Sequence, residues 1–157
     1  MNKKPHKYSM GGFTLLEVLV ALVVLSIGLL GLAGLQILGL RYNNQSYQLS
    51  VATNLANDMA DRMRANLQGV RDGNYNSIST KPASDPGCDN TTSCNAGQLA
   101  THDAFRWYTN LATLLPSGTG TVTGTGLGSA FTVAVNWTEV VPGQGPRTRS
   151  LSMVFRP

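Results

Sequence analysis

Beyond its first twelve residues the chain has one histidine, His102, and in its whole length only two glutamates, Glu17 and Glu139, and two cysteines. Acid–base or nucleophilic chemistry needs a titratable group beside a second reactive one, and neither glutamate has such a neighbour in sequence. No catalytic constellation is present. Zinc needs four ligands, and Cys88, Cys94 and His102 leave it one short. Asp85 and Asp89 flank Cys88, but two carboxylates in a loop are too few to specify calcium. The glycines of SGTGTVTGTGLGS are followed by no Lys-Ser or Lys-Thr and preceded by no apolar strand, so they form no phosphate-binding loop. No cofactor is implied.

Charge is also scarce, at 13% of residues, and the net value of +4 is unevenly placed. Lys3, Lys4 and Lys7 precede Gly12; the rest of the chain sets nine Lys and Arg against eight Asp and Glu. A nearly neutral remainder without a basic stripe argues against nucleic-acid binding. The basicity belongs to an amino-terminal tag of the kind that holds a segment on the cytoplasmic side.

What the chain has in quantity is apolar length. From Phe13 to Leu40 only scattered polar residues occur, chiefly Glu17, Ser26 and Gln36, and a membrane-spanning helix needs about 20 apolar residues. Three readings compete: a secretory signal peptide cut near Gly31-Leu32-Ala33, an ordinary single-span anchor, and a segment processed before its apolar run and kept as a helix. The first two leave Glu17 unexplained.

The continuation favours the third. Leu49, Ala52, Ala56, Met59, Met63 and Leu67 recur at helical spacing, with Asp58, Asp61, Arg62 and Arg64 largely on other faces. No proline interrupts Phe13 to Gln68, and Gly69 is the expected stop. Such a helix of about 55 residues would be ~80 Å long. Residues 13–40 would lie in lipid and 41–68 would pack on a soluble domain. Gly28, Gly31, Gly34 and Gly39 weaken the helix by about 1 kcal/mol each, and serve either close packing in the membrane or local loosening.

Residues 69–98 read as a long polar loop with a tight turn at Asp72-Gly73. Cys88 and Cys94 are free thiols in a reducing compartment, or a short-loop disulfide in a chain with an export-like start; the second is expected here. A helix is expected from Thr101 to Leu115, with Ala104, Trp107, Tyr108, Leu111, Leu114 and Leu115 on its core face, Asp103 near its start and Pro116 as its stop. Trp107 and Tyr108 are read as core rather than as a ligand platform. The Gly/Thr stretch is expected as a flexible hairpin or edge strand. FTVAVNWTEV and RSLSMVF alternate, with VPGQGPR as the turn between them, and form two antiparallel strands sharing an apolar face.

At Gly11-Gly12-Phe13-Thr14-Leu15-Leu16-Glu17 the chain resembles the type IV pilin family, whose precursors carry a short basic leader and then Gly followed by Phe-Thr-Leu-(Leu/Ile)-Glu. The resemblance implies removal of residues 1–12 by prepilin peptidase, a membrane aspartic peptidase that cuts between Gly12 and Phe13, and N-methylation of Phe13. It implies a subunit docking role for Glu17, pairing with the new amine of a neighbouring subunit. A charge at bilayer depth is tolerated mainly when paired.

VLVALVVLSIGLLGLAGLQ, ATNLANDMADRMRAN, the cysteine pair, the helix from Trp107 to Pro116 and the closing strand are similar to the PilV branch of minor pilins. Many major pilins have proline where this chain has Gly34, so any helix loosening would rest on glycines. The implied fold is α+β: a long N-terminal helix, membrane-spanning and then amphipathic, packed on a small antiparallel sheet. Residues 69–157 would form a periplasmic globular region. The implied function is that of a structural subunit helping to initiate or cap a pilus. Its partners would be other minor pilins, the major pilin, the inner-membrane assembly platform and a tip adhesin. It would reside in the inner membrane and then in the pilus. The alternatives are a pseudopilin of type II secretion and a subunit that itself binds a surface or DNA.

Overall fold

The computed structural model describes residues 12–89, 93–141 and 144–157. The basic leader, with Lys3, Lys4, Lys7 and Gly11, lies outside the described residues, as does the Pro142-Gly143 part of the expected turn. The chain divides into two units, 1–43 and 44–157.

In the first unit, helix α1 (Leu15–Ala65) begins and runs through Gly28, Gly31, Gly34 and Gly39 without a break. Every described side chain of this unit is exposed, including Phe13 at 82%. From Leu15 to Leu40 the helix rises roughly 39 Å, enough to cross a hydrocarbon core of about 30 Å. An uninterrupted apolar surface of this extent is not left to water. Length and composition fit a membrane span.

In the second unit the rest of α1 joins a core. Ala52, Leu55, Ala56, Met59, Ala60 and Met63 are buried, confirming most of the amphipathic pattern. Leu49 and Leu67, expected on the same face, are instead 48% and 44% exposed. The helix also ends before Gly69. Asn66, at φ −119° and ψ 59°, breaks it and caps a short second helix, α2 (Leu67–Arg71). Gly69 is thus inside a helix, not its stop. A Cβ there would fall 2.5 Å from Asn66 Nδ2, so glycine is needed for close approach.

Four antiparallel strands follow in the order β1 (Ser77–Ile78), β2 (Thr119–Thr123), β3 (Phe131–Val141) and β4 (Gly145–Phe155). Between β1 and β2 lies helix α3 (Ala96–Leu114). It starts earlier than expected because Asn95 and Gln98 form a reciprocal capping box. Asp103 is therefore mid-helix and buried, and Leu114 points outward. The Gly/Thr stretch contributes an interior strand rather than an edge: β2 lies between β1 and β3, with Val122 buried.

The alternation in β3 buries Phe131, Val133, Val135, Trp137 and Glu139 on one face. Opposite them in β4 stand Phe155, Met153, Leu151, Arg149 and Arg147. This face, α3 and the buried stripe of α1 share one core. Trp107 is its centre: fully buried, it donates from Nε1 to Leu55 O at 2.8 Å, and Tyr108 donates to Gly120 O. A Cβ on Gly120 would lie 2.3 Å from the Trp107 ring, so this strand can pass under the indole only with glycine. β4 is the outer strand, and its first half carries Pro146 and the exposed Arg147 and Arg149.

Candidate functional site

The start of α1 assembles the residues singled out in sequence. Gly12, Phe13 and Thr14 precede the helix and are exposed; a Cβ at Gly12 would meet nothing within 4 Å. Thr14 is the capping residue: the Glu17 backbone N–H donates to Thr14 O at 3.1 Å and to Thr14 Oγ1 at 3.3 Å. The Thr-x-x-Glu spacing is that of a capping box, a local reason for Thr14 that was readable in the sequence and missed. Glu17 sits in the first turn, where the helix dipole favours a carboxylate. The ion pairs of the described residues all lie between Asp58 and Arg149, and none includes Glu17.

Elsewhere, a polar network ties α1 to α3. Arg62 donates to Asp58 at 3.0 Å and to Asp103 at 3.1 Å. Burial opposes the Arg62 charge, but the two carboxylates outweigh it and hold the guanidinium above its ordinary value. Tyr75 donates to Asp103 Oδ2, and burial followed by this carboxylate pushes its phenol well up. Asn66 donates to Tyr75 at 3.1 Å and to Ala96 O at 2.9 Å. Sequence reading placed Asp103 at a helix dipole; its work is to satisfy these buried donors.

Cys88 and Cys94 are bonded, with a Cα–Cα distance of 5.9 Å. Reduction is expected to lower stability by roughly 2 kcal/mol, the loop-closure entropy of a short loop. Urea unfolding of the full chain with and without reductant, thiols alkylated, measures this; coincident midpoints would mean that the bond constrains nothing.

Asp85 and Asp89 are gathered around His102: Nδ1 lies 2.6 Å from Asp85 Oδ1 and Nε2 lies 3.1 Å from Asp89 Oδ1. A cluster of two carboxylates and a histidine has metal-binding composition. Each carboxylate faces its own nitrogen of the ring, and these two polar contacts are what the structure shows of the cluster. The Gly87 N–H, at 2.9 Å, and then His102 hold Asp85 below the usual carboxylate range. A depressed carboxyl contributes hold that is fully present above the ordinary value of about 3.9 and is lost as pH falls through its own lower value. Carboxyl carbon shifts of Asp85 in an acid titration should therefore move at a lower pH than the ordinary aspartate value of about 3.9; a midpoint at that value would refute the assignment.

The chain matches a model of the prokaryotic N-terminal methylation motif over residues 9–33, which defines it as a protein bearing that motif at the head of an apolar helix. It also matches a type IV pilin model, that of type IV pilin Tt1218, over residues 34–105. The two matches adjoin, and the helix-on-sheet fold agrees with them: the chain is similar to type IV pilins. No curated protein and no solved structure matches it. Both matches imply a pilus subunit, processed by prepilin peptidase and assembled with other pilus components. The apolar helix and the motif fit membrane anchoring followed by incorporation into a pilus.

Proposed function

We propose that this chain is a minor pilin of the PilV type, cut between Gly12 and Phe13, methylated on Phe13, and docked through Glu17. Residues 1–12 are the leader, 13–40 the membrane half of the helix, 41–68 its amphipathic half, and 69–157 the periplasmic part. Before assembly it is a single-pass inner-membrane protein with its amino terminus cytoplasmic. In the filament it helps to initiate or cap growth alongside other minor pilins, the major pilin, the assembly platform and a tip adhesin.

One observation carries the docking role: a lone exposed carboxylate in the first turn of an apolar helix. Among the described residues no ion pair includes it, so the exposed carboxylate is open to an external partner. A methylated amine on a neighbour's Phe13 supplies the opposite charge. Glu17→Gln keeps size and capping while removing charge. It should leave the protein in the membrane fraction and reduce its recovery from sheared filaments by about a hundredfold or more, since removing one partner of a desolvated ion pair costs about 3–5 kcal/mol. Equal recovery in filaments would remove the docking role.

A further inference from the structure

His102 is 4% exposed on α3, yet each of its ring nitrogens faces a carboxylate oxygen. A neutral imidazole has one N–H, so its bare nitrogen would oppose the second carboxylate lone pair to lone pair. Only the cationic ring donates to both. We propose that His102 is a proton-operated clasp on the segment around Cys88: with both nitrogens protonated it holds Asp85 and Asp89, and loss of one proton releases Asp89 while Asp85 stays.

The two sides are unequal. Asp85 makes the shorter contact, its side chain is 23% exposed, and its Oδ1 also accepts from the Gly87 N–H. Asp89 is half exposed, and its contact is the longer one. The proton that leaves is therefore the one on Nε2, and the neutral ring keeps Nδ1–H toward Asp85. Other charges around the ring do not reverse this order. Arg106, one turn further along α3, stands 3.9 Å from Asp89 Oδ2, a weak second hold. Lys81 lies over the Phe105 ring at 4.2 Å, and Asp103 is turned to Arg62 and Tyr75. Asp89 adjoins Cys88, so the clasp governs how firmly the first cysteine of the disulfide is held to α3. The inference stands on this geometry and is independent of the filament role.

The test uses the full chain in detergent micelles with ring-labelled histidine. His6→Gln leaves His102 as the only histidine signal. The pH is scanned over about 5 to 8, the interval in which histidine ordinarily titrates. At the acid end both ring nitrogens should carry the protonated shift, with cross-relaxation from the ring to the β-protons of Asp85 and Asp89. As the ring loses its proton, Nδ1 should remain protonated, and the Asp89 contact should be lost while the Asp85 contact persists. In Asp89→Asn the contact at position 89 should survive the titration, because a carboxamide can donate to the bare nitrogen or accept from the protonated one. An Asp89 contact unchanged after the ring is neutral would overturn the clasp. So would a neutral ring protonated on Nε2, or a ring already neutral while both contacts are present.

Discussion

Replacing Trp107 with alanine is expected to lower the unfolding free energy by about 4 kcal/mol, within the range for emptying a buried tryptophan site. The indole is fully buried where α1, α3 and β2 meet, and the site has little freedom to collapse. Gly120 offers no side chain to fill the space. The substitution also removes the donor to Leu55 O. Trp137, the other tryptophan, is buried on β3 and serves as the fluorescent reporter. In urea, the midpoint should fall by about 2 M for a slope of ~2 kcal/mol per M. Leu114→Ala on the exposed face of α3 should move it far less. Similar shifts for the two would mean that the core is not organised around the indole.

The second large effect is all-or-none. Gly12→Val is expected to abolish leader removal, because a residue entering a narrow peptidase site just before the scissile bond must be small. The structure makes this substitution clean. Position 12 precedes the helix, is exposed, and has open space where a side chain would go. Loss of processing therefore cannot be ascribed to damage in the fold. Intact mass should show wild type beginning at methylated Phe13 and Gly12→Val retaining residues 1–12. A wild-type chain that keeps its leader, or begins near Gly34, would count against the assigned cleavage site. A variant processed as wild type would refute the size requirement.

The elements legible in sequence were those with a strong period. The stripe Ala52, Ala56, Met59, Met63 and the alternation of FTVAVNWTEV each declare one buried face, and both are buried as read. Helix ends were less legible, because they depend on capping geometry. Asn66 ends α1 since its side chain serves Gly69, Tyr75 and Ala96 at once, a partnership that joins residues up to 30 positions apart. The Asn95/Gln98 box was visible at the right spacing but was hidden inside a polar stretch read as loop. β2 was misread because its glycines signal looseness when taken alone. Only the indole above Gly120 explains why a glycine belongs in an interior strand. The processing motif was legible as pure pattern. The His102 cluster was not, since nothing in sequence brings Asp85 and Asp89 to either side of one ring.

The outer strand β4 has a bearing on crowding. In a filament, copies of a subunit sit at enormous local concentration, and an open strand with free N–H and C=O groups is a template for the next chain's sheet. Pro146 presents no N–H there, and Arg147 puts an exposed charge on the edge, while Arg149 beside it is paired with Glu139. Neighbours are thereby denied a route to merge their sheets into a continuous ribbon.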